Sequence, residues 1–532
     1  MIKNIRRFTI ALVLLPIQFT FAAIEEIDNS TMEAVAADLK AALEDSRFRT
    51  EEGSFNFSDP KFCEKVAEQD LGANCFGQNP LSPYGLVSLP ESDNIIHPDA
   101  VKPLADSAPE GEQLIWHLQQ TDAVVMLGLT PPEHRYYSFT PYVMSRYKPL
   151  NNLPLFNEII EGTSIKFVLG TSINEGHRDV FNSVIPAINN VNILSEPADA
   201  ADHNLEYTAI ILSPDKGTME TVKRELRRVL YRHNISVNII NTLPLPSDIL
   251  HLGEKSRDDT FTILSRMAFL SNPEDEELMN AYTNNPPMKV MRVSGTPLQR
   301  HQPAEAIPFP ERAQGWSEDY VEEELQGLIG EVKKHFLDNG YALQDESQGD
   351  ATKSKSIEGV RGLKLGYGTL GDSPDAIYVP ASRFQLDHQD DVVAYIGINH
   401  AEITAPNDES QSKSVYSNLT TYLFDNLGAV NSISDQELFG TALPFSQNLM
   451  SSPSENHLYS KVFYVGILAN DCSLHDFPNC RDIGALQDLK YRNGDNLLTI
   501  ERAYIRADGD TQNEYEELRP VTQLVFDGPD RD

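Results

Sequence analysis

The chain has 532 residues, with 43 Lys and Arg against 79 Asp and Glu, a formal net charge of −36, and 40% hydrophobic residues. That hydrophobic share excludes an intrinsically disordered chain, and the length implies several packed units of roughly 100–200 residues each. The acid excess excludes a nucleic-acid binder, which needs a basic surface to replace phosphate counterions, and it disfavours docking on anionic lipid.

Residues 1–22 read as an export signal. Lys3, Arg6 and Arg7 form a basic start, an apolar stretch runs from Phe8 to Phe21, and Thr20 and Ala22 supply small residues for a signal peptidase. The stretch is shorter than the ~20 apolar residues of a membrane-spanning helix, so cleavage after Ala22 is expected, with no membrane insertion afterwards. Losing the three basic residues takes the net charge to −39. A periplasmic or secreted destination places the cysteines in an oxidising compartment. Cys63 with Cys75, and Cys472 with Cys480, are then expected to pair locally, each bridge closing one short loop.

Residues 23–75 form an N-terminal helical segment, opened by the capping box Ser30-Thr31-Met32-Glu33, with Met32, Val35, Leu39 and Leu43 on one face. Residues 76–200 read as a first β unit. Its strands are Gln113–Leu118 and Ala123–Leu129, followed by an aromatic strand starting at Arg135-Tyr136-Tyr137. Residues 201–294 read as an α/β unit, with strand Tyr207–Leu212, a helix over 218–233, strand Ile235–Ile240, a helix around Asp259–Leu270, and strand Met288–Val293. A Pro-rich linker and an amphipathic helix bearing Val321, Leu325, Leu328, Val332 and Phe336 fill 295–340. Residues 341–532 read as a second β unit, with strands near Ala376–Val379, Val392–Ile398, Val462–Leu468, Leu497–Ile505 and Val521–Phe526. The fold class expected is α+β, mainly β: two related antiparallel, sandwich-like units flanking a small α/β segment.

The relation between the two β units rests on matched segments. Leu118, Asp122, Val124-Val125 and Gly128 register with Leu386, Asp390, Val392-Val393 and Gly397 if one residue is inserted. Downstream, Tyr137-Ser138-Phe139-Thr140 through Tyr142 matches Tyr416-Ser417-Asn418 through Tyr422, and Ser82-Pro83-Tyr84 has an echo in Ser373-Pro374 through Tyr378. Three segments in the same order imply an internal repeat. The run Asn399-His400, Tyr416-Ser417-Asn418 and Glu501-Arg502-Ala503-Tyr504 also resembles an exported β-rich family with no established activity. The resemblance implies export and β architecture, and it carries no catalytic residues with it.

Candidate site residues lie in the loops and strand starts after Gly128 and Gly397. His134, Arg135 and Tyr136 on one side, and Asn399, His400, Tyr416 and Asn418 on the other, combine imidazole, guanidinium, amide and aromatic faces suited to a polar or anionic ligand. Gly371-Asp372-Ser373-Pro374 superficially resembles the nucleophile turn of a lipase-like esterase family, but Pro374 stands where a helix should begin. No zinc helix, calcium loop or nucleotide loop has the required spacing, so no metal or cofactor is expected. The reading is an exported binding protein for a small molecule or protein partner. An exported hydrolase and a structural envelope protein are the alternatives.

Overall fold

A computed structural model describes residues 27–529, except the segments 59–74, 96–101, 148–176, 199–204, 310–315, 484–490 and 505–516 and a few isolated positions. The export segment 1–22 and Cys63 lie outside the described residues. Among the described residues, no helix is long and apolar enough to cross a membrane.

The first half opens with α1 (Ser30–Asp45), whose Met32, Val35, Leu39 and Leu43 are fully buried, as the helical spacing predicts. Burying a leucine-sized side chain contributes about 1.5–3 kcal/mol, so this stripe fixes the helix on its sheet. Strands β1 (Arg49–Phe57), β2 (Tyr84–Pro90), β3 (Asp122–Leu129), β4 (His134–Tyr147), β5 (His177–Ser183) and β6 (Glu206–Ser213) follow. Next come α2 (Lys216–Arg232), β7 (Ile240–Pro244), β8 (Thr260–Leu270), α3 (Glu276–Asn284) and β9 (Met288–Ser294). The strands hydrogen-bond in the order β7-β6-β3-β9-β1-β2-β8-β4-β5. The α/β segment therefore shares one sheet with the first β unit, its β6 and β7 forming the expected parallel pair across α2.

Two elements differ in kind from the sequence expectation: Ile235–Ile240, expected as a strand, holds the 3-10 turn Val237–Ile239, and the parallel strand begins only at Ile240. The other, Thr260–Leu270, is a strand rather than a helix. Phe261, Ile263 and Met267 enter the main core while the polar Thr260, Thr262 and Arg266 alternate with them on the other face. That alternation, helped by β-branched residues, outweighs the apolar spacing that also suits a helix.

The second half runs α4 (Glu322–Asp338), β10 (Ala342–Gln348), β11 (Ala376–Phe384), β12 (Val392–Ile398), β13 (Tyr416–Leu423) and β14 (Ala429–Ser434). It continues with β15 (Phe463–Ala469), β16 (Cys480–Asp482), β17 (Leu497–Tyr504) and β18 (Thr522–Asp527). Its five-stranded sheet has the order β10-β18-β12-β15-β16, and its four-stranded sheet has the order β11-β17-β13-β14. The two sheets enclose a core of Phe384, Val393, Tyr395, Leu419, Ile433, Leu468 and Val525, as in a sandwich. The outer face of the five-stranded sheet is covered by α4 through Leu328, Val332 and Phe336. The molecule is thus mainly β with antiparallel sheets and few helices.

The halves correspond strand by strand. In chain order, β1 to β9 occupy the same sheet positions as β10 to β18, and a buried helix precedes each series. The parallel pair also recurs, β6 with β7 and β15 with β16. Asp122 accepts the Gln119 N–H at 3.0 Å and Asp391 accepts the His388 N–H at 2.9 Å, closing the same turn. This sets Asp122 against Asp391, rather than Asp390, so that Asp and Gly match without an inserted residue, while Leu118 falls against Asp387 and Val124-Val125 against Val393-Ala394, and those two sequence matches are lost.

Cys472 and Cys480 form a disulfide with a Cα–Cα distance of 5.7 Å, closing a short loop as expected. Cys75 is buried in the first half.

Candidate ligand-binding site

The strands facing the junction between the halves carry matched residues at matched positions. On β8, Arg266 lies opposite Tyr84 of β2 and Ser138 of β4, with Tyr142 opposite Thr262. On β17, Arg502 lies opposite Tyr378 of β11 and Asn418 of β13, with Tyr422 opposite Leu498. Side chains two apart on a strand share a face, so Leu264 points with Arg266, and Ile500 with Arg502. The Arg266 guanidinium carbon is 5.9 Å from the Tyr84 ring centre and 5.3 Å from that of Tyr142. The Arg502 carbon is 5.6 Å from Tyr378 and 5.3 Å from Tyr422. Each arginine is held between two tyrosine faces, an arrangement that favours a buried cation.

Each half inserts one loop into the other. Arg266 Nη2 donates to the Gly371 carbonyl at 2.6 Å, and Arg502 Nη2 donates to the Gly77 carbonyl at 2.7 Å. Tyr142 donates to the Asp372 carbonyl at 2.6 Å, and Tyr422 to the Gly77 carbonyl at 3.1 Å. Within each loop, the Asn79 N–H bonds the Tyr84 hydroxyl at 2.9 Å, and the Ser373 N–H bonds the Tyr378 hydroxyl at 2.7 Å. Asn79 reaches across to the Tyr416 hydroxyl at 3.0 Å, and Ser373 faces the Tyr136 hydroxyl at 3.4 Å. Gly77 (φ 61°) and Gly371 (φ 76°) both adopt the left-handed backbone that turns each loop inward.

Between the loops lies a cleft of about 110 Å³ that is partly open to solvent. Arg266, Arg502, Tyr84, Tyr378 and Tyr504 line it together with an apolar wall that includes Leu86, Phe181, Leu264 and Ile500. Both arginines are nearly inaccessible, at 5% and 4% exposure. Burial opposes their charge, but the surrounding tyrosine oxygens outweigh it, and both pKa values are raised above the ordinary arginine value. Among the described residues neither forms an ion pair with a carboxylate; their hydrogen bonds go to hydroxyl and carbonyl oxygens. Asp372, also on the wall, has its oxygens occupied by the Ser183 N–H and hydroxyl, the Gly359 N–H and the Thr369 hydroxyl.

None of the seven residues singled out from sequence is among those that line this cleft. Tyr136 and Tyr416 meet about Tyr504, with ring centres 4.7 and 5.2 Å from it, in a cluster shared by both halves. Their pairing partners, Ala268 for Tyr136 and Tyr504 for Tyr416, make these two tyrosines equivalent, so the aromatic match shifts by one from Tyr137. Arg135 forms a 2.7 Å ion pair with buried Asp435, and Asn399 donates to the Asp435 carbonyl at 2.9 Å, so the two loops do meet. Asn418 donates to Thr420 at 2.8 Å inside the second half.

The two histidines stay apart. His134 is buried with Nδ1 at 2.5 Å from the Pro132 carbonyl, and burial pushes its pKa down to about 4, leaving it neutral at physiological pH. His400 is fully buried, with Nδ1 2.7 Å from Glu318 and Nε2 3.6 Å from Glu501. Burial opposes its charge, but the two carboxylates prevail and lift its pKa to about 10. A histidine raised in this way contributes its full stability below the unfolded value of 6.5, and loses it as pH climbs towards about 10. The melting temperature is therefore expected to fall between pH 7 and 10, and His400→Gln to flatten that slope in pH-resolved melting curves.

Sequence reasoning missed Arg266 and the pairing of Arg266 with Arg502. A usable signal is present: Gly77-Gln78-Asn79-Pro80 and Gly371-Asp372-Ser373-Pro374 each precede a tyrosine, Tyr84 and Tyr378, by the same step from the glycine. Aligning Asn79-Pro80, rather than Ser82-Pro83, with Ser373-Pro374 exposes it. The Ser373 hydroxyl faces the Tyr136 hydroxyl and its N–H bonds the Tyr378 hydroxyl, so the esterase resemblance gains no histidine from this geometry.

No protein family and no curated protein matches the chain. A solved structure described as PNGF-II in the C2 space group aligns over 92% of this chain and 66% of its own length, slightly under two thirds, with 10% identity. Its TM-score is 0.17, and a likeness at that level carries no argument about fold or function.

Proposed function

We propose that the chain is an exported binding protein made of two copies of one sheet-and-helix unit, which close on a small ligand held between them. The repeat is supported by the shared strand order and by the matched Gly-to-Tyr motifs of the two inserted loops. Export is supported by the signal pattern of residues 1–22 and is compatible with the Cys472–Cys480 bridge, since disulfides persist in oxidising compartments. The observation that carries the binding reading is the cleft itself: a space between the halves, lined from both sides by apolar residues and a few convergent polar groups.

Native mass spectrometry of protein purified without denaturation from the exporting cell tests this reading. The expected spectrum shows a chain beginning at residue 23 and carrying extra mass that is lost on unfolding. A native spectrum containing only the bare chain contradicts the binding reading, and retention of residues 1–22 contradicts export.

A further inference from the structure

We infer that the ligand of this cleft is amphipathic, with an oxyanion head (carboxylate or phosphate) held between Arg266 and Arg502 and an apolar body along Leu86, Leu264 and Ile500. The inference rests on the reading of the cleft as a binding site and adds the chemical class of its occupant.

Charge balance is the first argument. Two guanidinium groups stand in one half-open cleft, each nearly inaccessible, and neither is paired with a carboxylate among the described residues. Elsewhere this chain compensates buried cations with carboxylates: Arg146 has Asp259, His400 has Glu318 and Lys413 has Glu517. Taking two like charges out of water without a counter-ion is costly, and an incoming anion relieves that cost. The nearest wall carboxylate, Asp372, is turned to its own hydrogen-bond donors instead.

Donor geometry is the second argument. A guanidinium offers five N–H donors, and the bonds to Tyr142, Gly371, Thr420 and Gly77 leave part of each fork for another acceptor. A planar fork suits carboxylate or phosphate oxygens, and bonds of this kind are stronger than neutral ones. The tyrosine faces hold each fork at a fixed angle, so little side-chain freedom is lost on binding. The remaining wall is mostly aliphatic and aromatic, which fits a short hydrocarbon body and gives little purchase to a sugar or an inorganic ion.

Isothermal titration of the full mature protein, stripped of ligand by dialysis, with octanoate, octyl phosphate and 1-octanol tests the assignment, because the three probes share a body and differ in the head. Octanoate or octyl phosphate is expected to bind at least about tenfold more tightly than 1-octanol, the better of the two identifying the head. Arg266→Gln and Arg502→Gln are each expected to remove about tenfold of that preference for the anionic probe over 1-octanol. Equal affinity for all three probes overturns the anion assignment while keeping the cleft as a binding site. Absence of binding by every probe overturns the assignment and counts against the cleft as a small-molecule site. The comparison within wild-type protein decides the matter even if an arginine variant does not fold.

Discussion

Arg146→Met is expected to lower the free energy of unfolding by about 3–5 kcal/mol. Arg146 lies next to the last residue of β4 and Asp259 immediately precedes β8, so their bond pins together the two strands that carry Tyr142 and Arg266. The guanidinium donates through Nε to Asp259 Oδ1 at 2.8 Å and through Nη2 to Oδ2 at 2.5 Å, and it also reaches the Ile249 carbonyl at 2.7 Å. The Asp259 side chain is wholly inaccessible and that of Arg146 is 7% exposed. Removing the cation strands a buried carboxylate whose remaining contacts include only the His251 N–H at 2.8 Å and its imidazole at 3.6 Å. Because the penalty comes from the stranded charge, Asp259→Asn added to Arg146→Met should recover part of it. Urea denaturation of the single and double variants measures both effects, and a loss below about 1 kcal/mol for Arg146→Met would show that water reaches Asp259.

The second large effect concerns the contact between the halves. Arg135→Leu is expected to cost about 2–4 kcal/mol near pH 8, since Asp435 is fully inaccessible and Arg135 is the cation that meets it from the other half. Burial, partly offset by Arg135, raises the Asp435 pKa to about 6. Without Arg135 it rises further, because the offsetting cation is gone. A carboxyl raised on folding is best tolerated when protonated, so the cost of the substitution should shrink as pH falls from 8 to 5. Thermal melts at the two pH values check this, and a penalty that grows towards pH 5 would contradict the assignment of Asp435 as the buried charge.

Much of the architecture was legible because periodicity reports burial directly. The stripe Met32, Val35, Leu39 and Leu43 names one buried face, and Val392–Ile398 is a strand with the bounds its apolar run predicts. The strand at Thr260–Leu270 was not, because Phe261, Leu264 and Ala268 lie at helical spacing and the strand's pairing partners are far away in sequence. That misreading also hid Arg266, which acquires meaning only opposite Tyr84 and Tyr142. Tyr136 and Tyr416 were found because both open aromatic strands, and they do converge on Tyr504. His134 and His400 were plausible from composition alone, yet each is consumed by local packing: one is neutral beside Pro132, the other enclosed by Glu318 and Glu501. A loop rich in charge does not say whether that charge faces a ligand or a buried partner.

The matching strand order of the two halves places the cleft at their junction. Each half presents an arginine between two tyrosines and receives a glycine loop from the other, so neither half completes the cleft alone. The carbonyls of Gly371 and Gly77 hold Arg266 and Arg502, the two arginines that line the cleft.

The most direct measurement is a crystal structure of the protein purified natively from the exporting cell. The account predicts difference density for a bound molecule between Tyr84 and Tyr378, in contact with both Arg266 and Arg502. A well-ordered structure in which side chains close that space, with ligand density on another surface, would contradict it.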